Sequence, residues 1–422
     1  MDIGSTATQR ETEEALTPPR SHWLYILALI AGLTAMAMGA LVGGLFVLLS
    51  LRGMETANRL SMTTIGVSIA ASGLGLGGAL AWTGYQGLRN RSSRTFRPGA
   101  NWILACLVGL ALALLIGQLI LALDLLAPLT FPLFHVLGMA LPPITILVVI
   151  GGGLRYSTPA TTGRQVIGQL VWGAFGTTAI AFTLEAVLVV VGLIAIGIAI
   201  GLRPGGLAQL AELQAMLEDA AQLQDPQLLV RWLLRPEIVL SIGILLTIVV
   251  PLIEEGAKSV GVPLLALGTG RKPSPAQGWL WGIAAGAGFA ITEGLFNSAA
   301  SLPFWAGIAL LRVGATAMHM VTAGLTGLGW AHTLASRRPL PFLGSYLASV
   351  TLHGVWNGLT VLIVISSLWM MAQPGDPVGM IGGGSGILVG LTGLILLTAT
   401  IIGVASYITL RLRRGREGYR PD

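Results

Sequence analysis

The chain has 422 residues, of which 54% are hydrophobic and only 10% are charged, and its formal net charge is +6. Soluble globular proteins carry about 25% charged residues, so this composition excludes a water-soluble protein as well as a disordered one. The apolar residues form long runs separated by short arginine-containing stretches, which predicts an all-α, polytopic membrane protein. Because the basic residues lie in loops beside the apolar runs, their excess indicates topology, and no nucleic-acid partner is expected.

Ten apolar segments are long enough to cross a bilayer. Backbone polar groups cannot stay unpaired in lipid, so the spans are expected to be helices that pack as a bundle. In the seventh span, Gly282-x-x-x-Gly286 predicts close helix packing through small residues. The predicted spans are residues 23–51, 62–88, 101–123, 132–153, 165–202, 238–267, 277–299, 304–334, 342–371 and 382–410.

The distribution of Lys and Arg predicts the orientation of these spans. If the N-terminus is inside the cell, the cytoplasmic segments hold 17 of these residues and the outer loops hold five. Positive residues accumulate in cytoplasmic loops, so both termini are predicted to be cytoplasmic.

Polarity divides the chain into five predicted regions. Residues 1–22 form a disordered cytoplasmic tail, and residues 23–202 form a five-helix membrane region of unknown role. Residues 203–237 form an extracytoplasmic amphipathic segment in which leucines recur at helical spacing. Residues 238–371 form a core with most of the intramembrane ionisable groups, and residues 372–422 hold the last span and a basic cytoplasmic tail. The recurring leucines are Leu207, Leu210, Leu213, Leu217 and Leu223.

Ionisable side chains within the spans are concentrated in the second half of the chain. Each costs several kcal/mol at membrane depth, so each requires an explanation. With a helical rise of about 1.5 Å per residue, four of these groups on four different spans fall into one slab, near or outside the membrane midplane. They are Glu254, Glu293, His319 and His353.

The sixth span contains Pro251 followed by Glu254, Glu255 and Lys258. Pro251 frees a carbonyl one turn earlier, so a kink is expected there. Two adjacent carboxylates in a medium of low dielectric constant do not both ionise readily, so one is expected to hold a proton while the other acts as a base. Lys258 lies one turn further on, where it can offset the ionised partner. The alternative is an ion pair that only locks helices together.

The next two spans contribute an aromatic residue, a carboxylate and two cationic or titratable groups. Phe289 and Glu293 are four residues apart and share one helix face. Glu293 either belongs to a catalytic site or pairs with Arg312 as a structural ion pair. His319 lies two turns after Arg312, where it is either functional or a hydrogen-bonded packing residue.

The ninth span contains His353 and Asn357, four residues apart. Side chains at this spacing converge on one small target. An imidazole and an amide together suit an oxyanion or a metal-bound water.

These motifs, in this order, resemble the PrsW-type intramembrane proteases, which are related to the CAAX prenyl endopeptidases and the bacteriocin-processing enzymes. The resemblance covers about residues 250–360 and nothing in spans one to five. It implies that Glu254 activates water, that Glu255 supports it, and that His353 and Asn357 stabilise the oxyanion. Glu293 and His319 are also predicted as catalytic, although the CAAX-type enzymes have a histidine in place of Glu293. The supporting residues are Lys258, Phe289 and Arg312.

The cofactor requirement follows less directly from the resemblance, because the family has been described both as metalloproteases and as glutamic proteases. The sequence has no His-Glu-x-x-His motif. We therefore expect no cofactor to be required, with zinc as the alternative. If a metal is bound, its predicted ligands are Glu254, His319 and His353.

The predicted function is hydrolysis of a peptide bond in a membrane-anchored protein within the lipid bilayer. The resemblance implies substrates like anti-sigma factors and a multi-pass protein of a prokaryotic plasma membrane. One alternative is a transporter whose Glu and His residues relay protons or bind a cation, but the first half has no counterpart of the Glu-Glu span. The other alternative is a non-catalytic scaffold that binds membrane proteins.

Overall fold

The computed structural model describes residues 22–414 apart from residues 53–55, 158, 220–224, 301, 303–304 and 374. The predicted N-terminal tail, except for His22, lies outside the described residues, as do Leu223 and the last eight residues of the basic tail. The described part of the chain is helical and contains no strand, only an isolated bridge between Thr95 and Thr162.

Among the described residues, ten helices are long and apolar enough to cross a membrane, which confirms the predicted number of spans. Two shorter helices, α6 and α7, lie in the predicted amphipathic segment. In chain order the helices are α1 (His22–Ser50), α2 (Asn58–Leu88), α3 (Ala100–Leu123), α4 (Ala127–Gly153), α5 (Gly163–Gly201), α6 (Gly206–Glu218), α7 (Pro226–Leu233), α8 (Pro236–Thr269), α9 (Pro275–Asn297), α10 (Trp305–Ser336), α11 (Leu340–Ala372) and α12 (Pro377–Arg414).

Several of the long helices are irregular. One π-helical turn interrupts each of α2, α5 and α8, at Gly73–Gly77, Trp172–Thr177 and Leu245–Val249. Helix α8 breaks a second time at Val260, between Val250–Ser259 and Gly261–Thr269. Such insertions change the direction of the side chains that follow them and often occur at functional sites.

The helices divide into two compact units, which are described separately. Unit 1 comprises the described parts of residues 1–178, 255–349 and 400–422, and unit 2 comprises those of residues 179–254 and 350–399. The division falls inside helices α5, α8, α11 and α12, and in α8 it lies between Glu254 and Glu255.

Helix α9 forms the core of unit 1, because 89% of the residues in its most apolar 18-residue stretch are buried. Glycines allow this close packing. A Cβ added at Gly282 would lie 2.0 Å from the Ala323 carbonyl oxygen, and one at Gly286 would lie 2.4 Å from that of His319. On the opposite side, a Cβ at Gly288 would lie 1.8 Å from the Leu170 carbonyl oxygen of α5. The predicted role of Gly282 and Gly286 in close packing is confirmed.

A second buried cluster in unit 1 includes His135 of α4. The Trp305 Nε1–H donates to His135 Nδ1 at 3.0 Å, and His135 Nε2 lies 2.9 Å from the Leu295 carbonyl oxygen. Because Nδ1 accepts, Nε2 carries the proton and donates to that carbonyl, so the imidazole is neutral. Phe131 packs edge-on against Trp305 with ring centroids 5.1 Å apart. Both ring nitrogens of His135 are therefore hydrogen-bonded within the protein, and His135 is a packing residue.

In unit 2, α11 packs closely against the first part of α8. A Cβ added at Gly354 would lie 2.4 Å from the Thr247 carbonyl oxygen. Elsewhere in the unit, the Gln227 amide of α7 donates to the Met371 carbonyl of α11 at 3.0 Å.

Candidate active site

The π-helical turn in α8 leaves one backbone carbonyl without its helical partner. Within this turn the carbonyl of residue i pairs with the N–H of residue i+5, as the Leu245 carbonyl does with the Val250 N–H. The corresponding partner of Leu246 is Pro251, which has no N–H. Asn357 of α11 supplies the missing donor, since its Nδ2 donates to the Leu246 carbonyl at 2.8 Å. The carbonyl expected to be freed by Pro251 is therefore bound by an amide that the sequence analysis had assigned to the oxyanion.

The residues Glu255, Lys258, His319, Glu293 and Arg312 form a continuous line of contacts in unit 1, here called the Glu255 cluster. The Lys258 ammonium lies 2.8 Å from Glu255 Oε1 and 2.9 Å from His319 Nδ1. His319 Nε2 lies 2.6 Å from Glu293 Oε2, and Arg312 contacts both oxygens of Glu293 at 2.9 and 3.2 Å. The line thus connects three helices, α8, α9 and α10.

This arrangement fixes the proton positions on His319. An ammonium group can only donate hydrogen bonds, so His319 Nδ1 accepts from Lys258. The proton of the neutral ring is then on Nε2 and faces the Glu293 carboxylate. With Glu255 and Glu293 ionised, the two carboxylates balance the charges of Lys258 and Arg312, as buried charges require.

Phe289 completes the Glu255 cluster on its apolar side. The Lys258 ammonium lies 4.1 Å from the centroid of the Phe289 ring, a cation–π contact. The His319 ring meets the Phe289 ring edge-on, with centroids 5.0 Å apart. Phe289 and Glu293, one turn apart on α9, therefore both contact His319, which explains the spacing between them.

The Glu255 cluster is most buried at its α8 end. The side chains of Glu255 and Lys258 have no exposed surface, whereas those of Arg312 and Glu293 are 16% and 24% exposed. The Asn297 amide donates to Glu293 Oε1 at 3.0 Å on the exposed side.

Glu254 and His353 form a second pair, in unit 2. Glu254 Oε2 and His353 Nε2 are 3.9 Å apart, which is longer than a hydrogen bond, and both residues are buried. Glu254 and Glu255 are consecutive residues of one helix, so their side chains leave the helix about 100° apart. The neighbouring carboxylates consequently contact different groups.

Neither cluster taken alone fits a catalytic zinc. Such a site has three protein ligands of the imidazole, carboxylate or thiolate type. Glu254, Glu255, His319 and His353 are buried and each offers a ligand atom of this kind. The pair in unit 2 supplies two such groups. In unit 1, however, Glu255 faces an ammonium group, and both ring nitrogens of His319 face charged side chains.

The structure thus groups the predicted residues differently from the sequence analysis. Glu293 forms the ion pair with Arg312 that was one of its two predicted alternatives, and it also lies beside His319, a contact that was not predicted. In unit 2, Glu254 is near His353, while Asn357 binds the α8 backbone. The predicted supporting residues Lys258, Phe289 and Arg312 all belong to the Glu255 cluster.

Two residues of α5 were missed by the sequence analysis. Gln169 Nε2 donates to the Gly261 carbonyl at 2.7 Å, and Trp172 Nε1 donates to the Ala257 carbonyl at 3.2 Å. Both carbonyls flank the break in α8 at Val260. A glutamine within a membrane span needs a hydrogen-bond partner there, and this was the signal that could have pointed to the contact.

The fold and these contacts define a polytopic membrane protein with ionisable clusters inside its apolar helices. Residues 162–374, half of the chain, match the sequence model of the PrsW family intramembrane metalloproteases, and the chain belongs to this family. The match begins before Gly163, so α5 is part of the family region, and the prediction that the fifth span lies outside it was wrong, whereas the first four spans do lie outside the matched residues. No curated protein and no solved structure matches the chain. The family supports an intramembrane peptidase and does not favour the transporter alternative.

Proposed function

We propose that this protein is an intramembrane endopeptidase in which Glu254 activates the attacking water. The observation that carries the proposal is the contrast between the two consecutive glutamates. Glu255 forms an ion pair of 2.8 Å with the Lys258 ammonium, whereas Glu254 Oε2 lies 3.9 Å from the His353 imidazole, beyond hydrogen-bond distance. A carboxylate placed beside a hydrogen-bond donor such as His353 suits general-base activation of a water.

In the proposed reaction, Glu254 takes a proton from water while the water oxygen bonds to the carbonyl carbon of the scissile peptide. His353 and the second N–H of the Asn357 amide donate hydrogen bonds to the resulting oxyanion. The C–N bond then breaks as Glu254 returns its proton to the leaving nitrogen. The products are a new carboxyl terminus and a new amino terminus.

The Glu255 cluster acts in this proposal by holding α8 in place and by fixing the charge beside Glu254. Lys258 pairs with the Glu255 carboxylate, so Glu254 is the carboxylate that acts as the base in the proposed reaction. His319, Glu293 and Arg312 hold Lys258 in position through the line of contacts described above.

We propose that catalysis does not require a metal. The engagement of Glu255 by Lys258 and of both His319 nitrogens by charged partners supports this choice. The family's description as metalloproteases gives the alternative, a zinc ion. Elemental analysis of the purified protein, together with activity after removal of metal by a chelator, distinguishes the two.

We further propose that the substrate is a membrane-anchored protein of the anti-sigma-factor kind and that the protein lies in a prokaryotic plasma membrane with both termini in the cytoplasm. The family supports a membrane-protein substrate, and the excess of basic residues in alternate loops supports the orientation.

The test is mass spectrometry of new protein termini in membranes of cells that express the wild type or a variant at matched levels. Glu254→Gln should reduce the substrate-derived termini by about 100-fold or more, because a general base contributes roughly that factor. Glu212→Gln, on the exposed side of α6, is the matched control and should leave the termini unchanged. Identical termini in the wild type and in a stably folded Glu254→Gln variant would refute the proposal.

A further inference from the structure

A cavity of about 310 Å³ lies in unit 1, apart from the Glu255 cluster. It is lined by residues of α1, α2, α5 and the end of α8, and by the loop that follows α2. None of the predicted catalytic or supporting residues lines it. The cavity therefore calls for an occupant of its own.

One end of the cavity is basic and polar. Arg164, the second residue of α5, places its guanidinium over the Tyr25 ring, 5.6 Å from the centroid, and donates to the Arg91 carbonyl. The guanidinium also hydrogen-bonds to the Tyr25 side chain, and these two bonds leave others of its five N–H groups for a ligand. The Arg164 backbone N–H also donates to Ser93 Oγ at 3.2 Å. Because the first N–H groups of α5 are all bound within the protein, the guanidinium is the group at this end that can bind an anion.

The charge around this end has the same sign. The loop after α2 carries four arginines and hydrogen-bonds to the start of α5 through Gly163 N–H, which donates to the Arg94 carbonyl at 2.9 Å. A basic rim of this kind attracts the anionic lipids of the cytoplasmic leaflet. The four arginines are Arg89, Arg91, Arg94 and Arg97.

The rest of the cavity is apolar but contains one buried acceptor. Leu24, Leu80 and Leu264 line its walls, and the side chain of Leu264 is 47% exposed. Gln169 is 3% exposed, and its Oε1 has no hydrogen-bond partner among the described residues, because its Nε2 is bound to the Gly261 carbonyl. A buried acceptor without a partner is costly, so a ligand with a hydroxyl group would stabilise it.

We propose that this cavity binds an anionic phospholipid whose head group carries hydroxyls, with the phosphate at Arg164 and a hydroxyl at Gln169. Along α5 these residues are five positions apart, a rise of about 7.5 Å, which an extended glycerol phosphate head group can span. The acyl chains lie against the leucine walls. Since Gln169 also holds the α8 carbonyl at Gly261, the lipid contacts a residue that positions the helix of Glu255 and Lys258.

The test uses the full-length protein purified in detergent and native mass spectrometry with added phosphatidylglycerol or phosphatidylcholine. The wild type should retain phosphatidylglycerol in preference to phosphatidylcholine. Arg164→Gln should weaken phosphatidylglycerol binding by about ten-fold or more, because charge-assisted hydrogen bonds are lost. Arg155→Gln is the matched control, since Arg155 does not line the cavity and stacks on Tyr156.

A second variant keeps the test valid if Arg164→Gln fails to fold. Gly168 lines the cavity, and a Cβ added there would meet no atom within 4 Å. Gly168→Leu should therefore leave the helix intact, fill the cavity and prevent retention of phosphatidylglycerol. Gly192→Leu, on the same helix and equally unobstructed, should retain it. Equal retention of both lipids by the wild type, or full retention by Gly168→Leu, would overturn the proposal.

Discussion

Replacement of Lys258 by methionine tests the electrostatic balance of the Glu255 cluster most directly. Lys258 and Glu255 form an ion pair of 2.8 Å in which neither side chain is exposed. Methionine keeps most of the apolar volume but leaves Glu255 as a buried carboxylate without its ammonium partner. Breaking a buried pair on one side costs about 3–5 kcal/mol, so the free energy of unfolding should fall by about that amount.

A double-mutant cycle completes the test, in which Lys258→Met is combined with Glu255→Gln. Removing both charges eliminates the buried uncompensated carboxylate, so most of the lost stability should return. The measurement is reversible unfolding of the purified protein in mixed micelles, with the two single variants and the double variant compared. A loss below about 1 kcal/mol for Lys258→Met, or a double variant no more stable than Lys258→Met, would contradict the reasoning.

Three further outcomes follow from the structure. Asn357→Leu should lower the free energy of unfolding by about 1–3 kcal/mol, because the Leu246 carbonyl loses its donor, and the same unfolding assay measures this. Gly282→Val should abolish the folded protein, because its Cβ would lie 2.0 Å from a carbonyl oxygen of α10, whereas Gly192→Val should fold; size-exclusion chromatography separates these outcomes. If catalysis is metal-free as proposed, complete chelation should leave the rate of substrate cleavage within about two-fold of the untreated enzyme, while a zinc enzyme would lose nearly all activity.

Much of the fold could be predicted because the constraint of the bilayer is local. A run of apolar residues must become a helix wherever lipid surrounds it, so the ten spans follow from the positions of the apolar runs in the sequence. The predicted and observed ends differ by a few residues where apolar positions continue into a loop. Helix α4, for example, begins at Ala127 and not at residue 132, because Pro128 lies in its first turn, where a helix tolerates proline.

The candidate site could be predicted only as a set of residue types at one depth. The sequence placed Glu255 and Lys258 together because they are one helical turn apart. It could not show that both nitrogens of His319 face charged partners, since those contacts depend on how α8, α9 and α10 pack. Asn357 was assigned to an oxyanion for the same reason, because its partner, Leu246, is 111 residues away in the chain.

The role of α5 could not be predicted from ionisable residues, because the side chains that contact α8 carry no charge. Gln169 and Trp172 are uncharged, yet they bind the two carbonyls that flank the break in α8. A helix break exposes backbone groups, and uncharged donors are sufficient to satisfy them. Donors of this kind in a neighbouring span are therefore a useful second signal for a broken helix.

The glycine-lined packing of α9 has a consequence for mutational surveys of this protein. Gly282 and Gly286 admit no side chain on the α10 side, and Gly288 admits none on the α5 side. In a saturation survey scored by survival or by activity, most positions along α9 would therefore be intolerant, regardless of chemistry. Intolerance at Glu293 would carry information about function only when it is compared with the abundance of the variant protein, because its glycine neighbours would give the same score through misfolding.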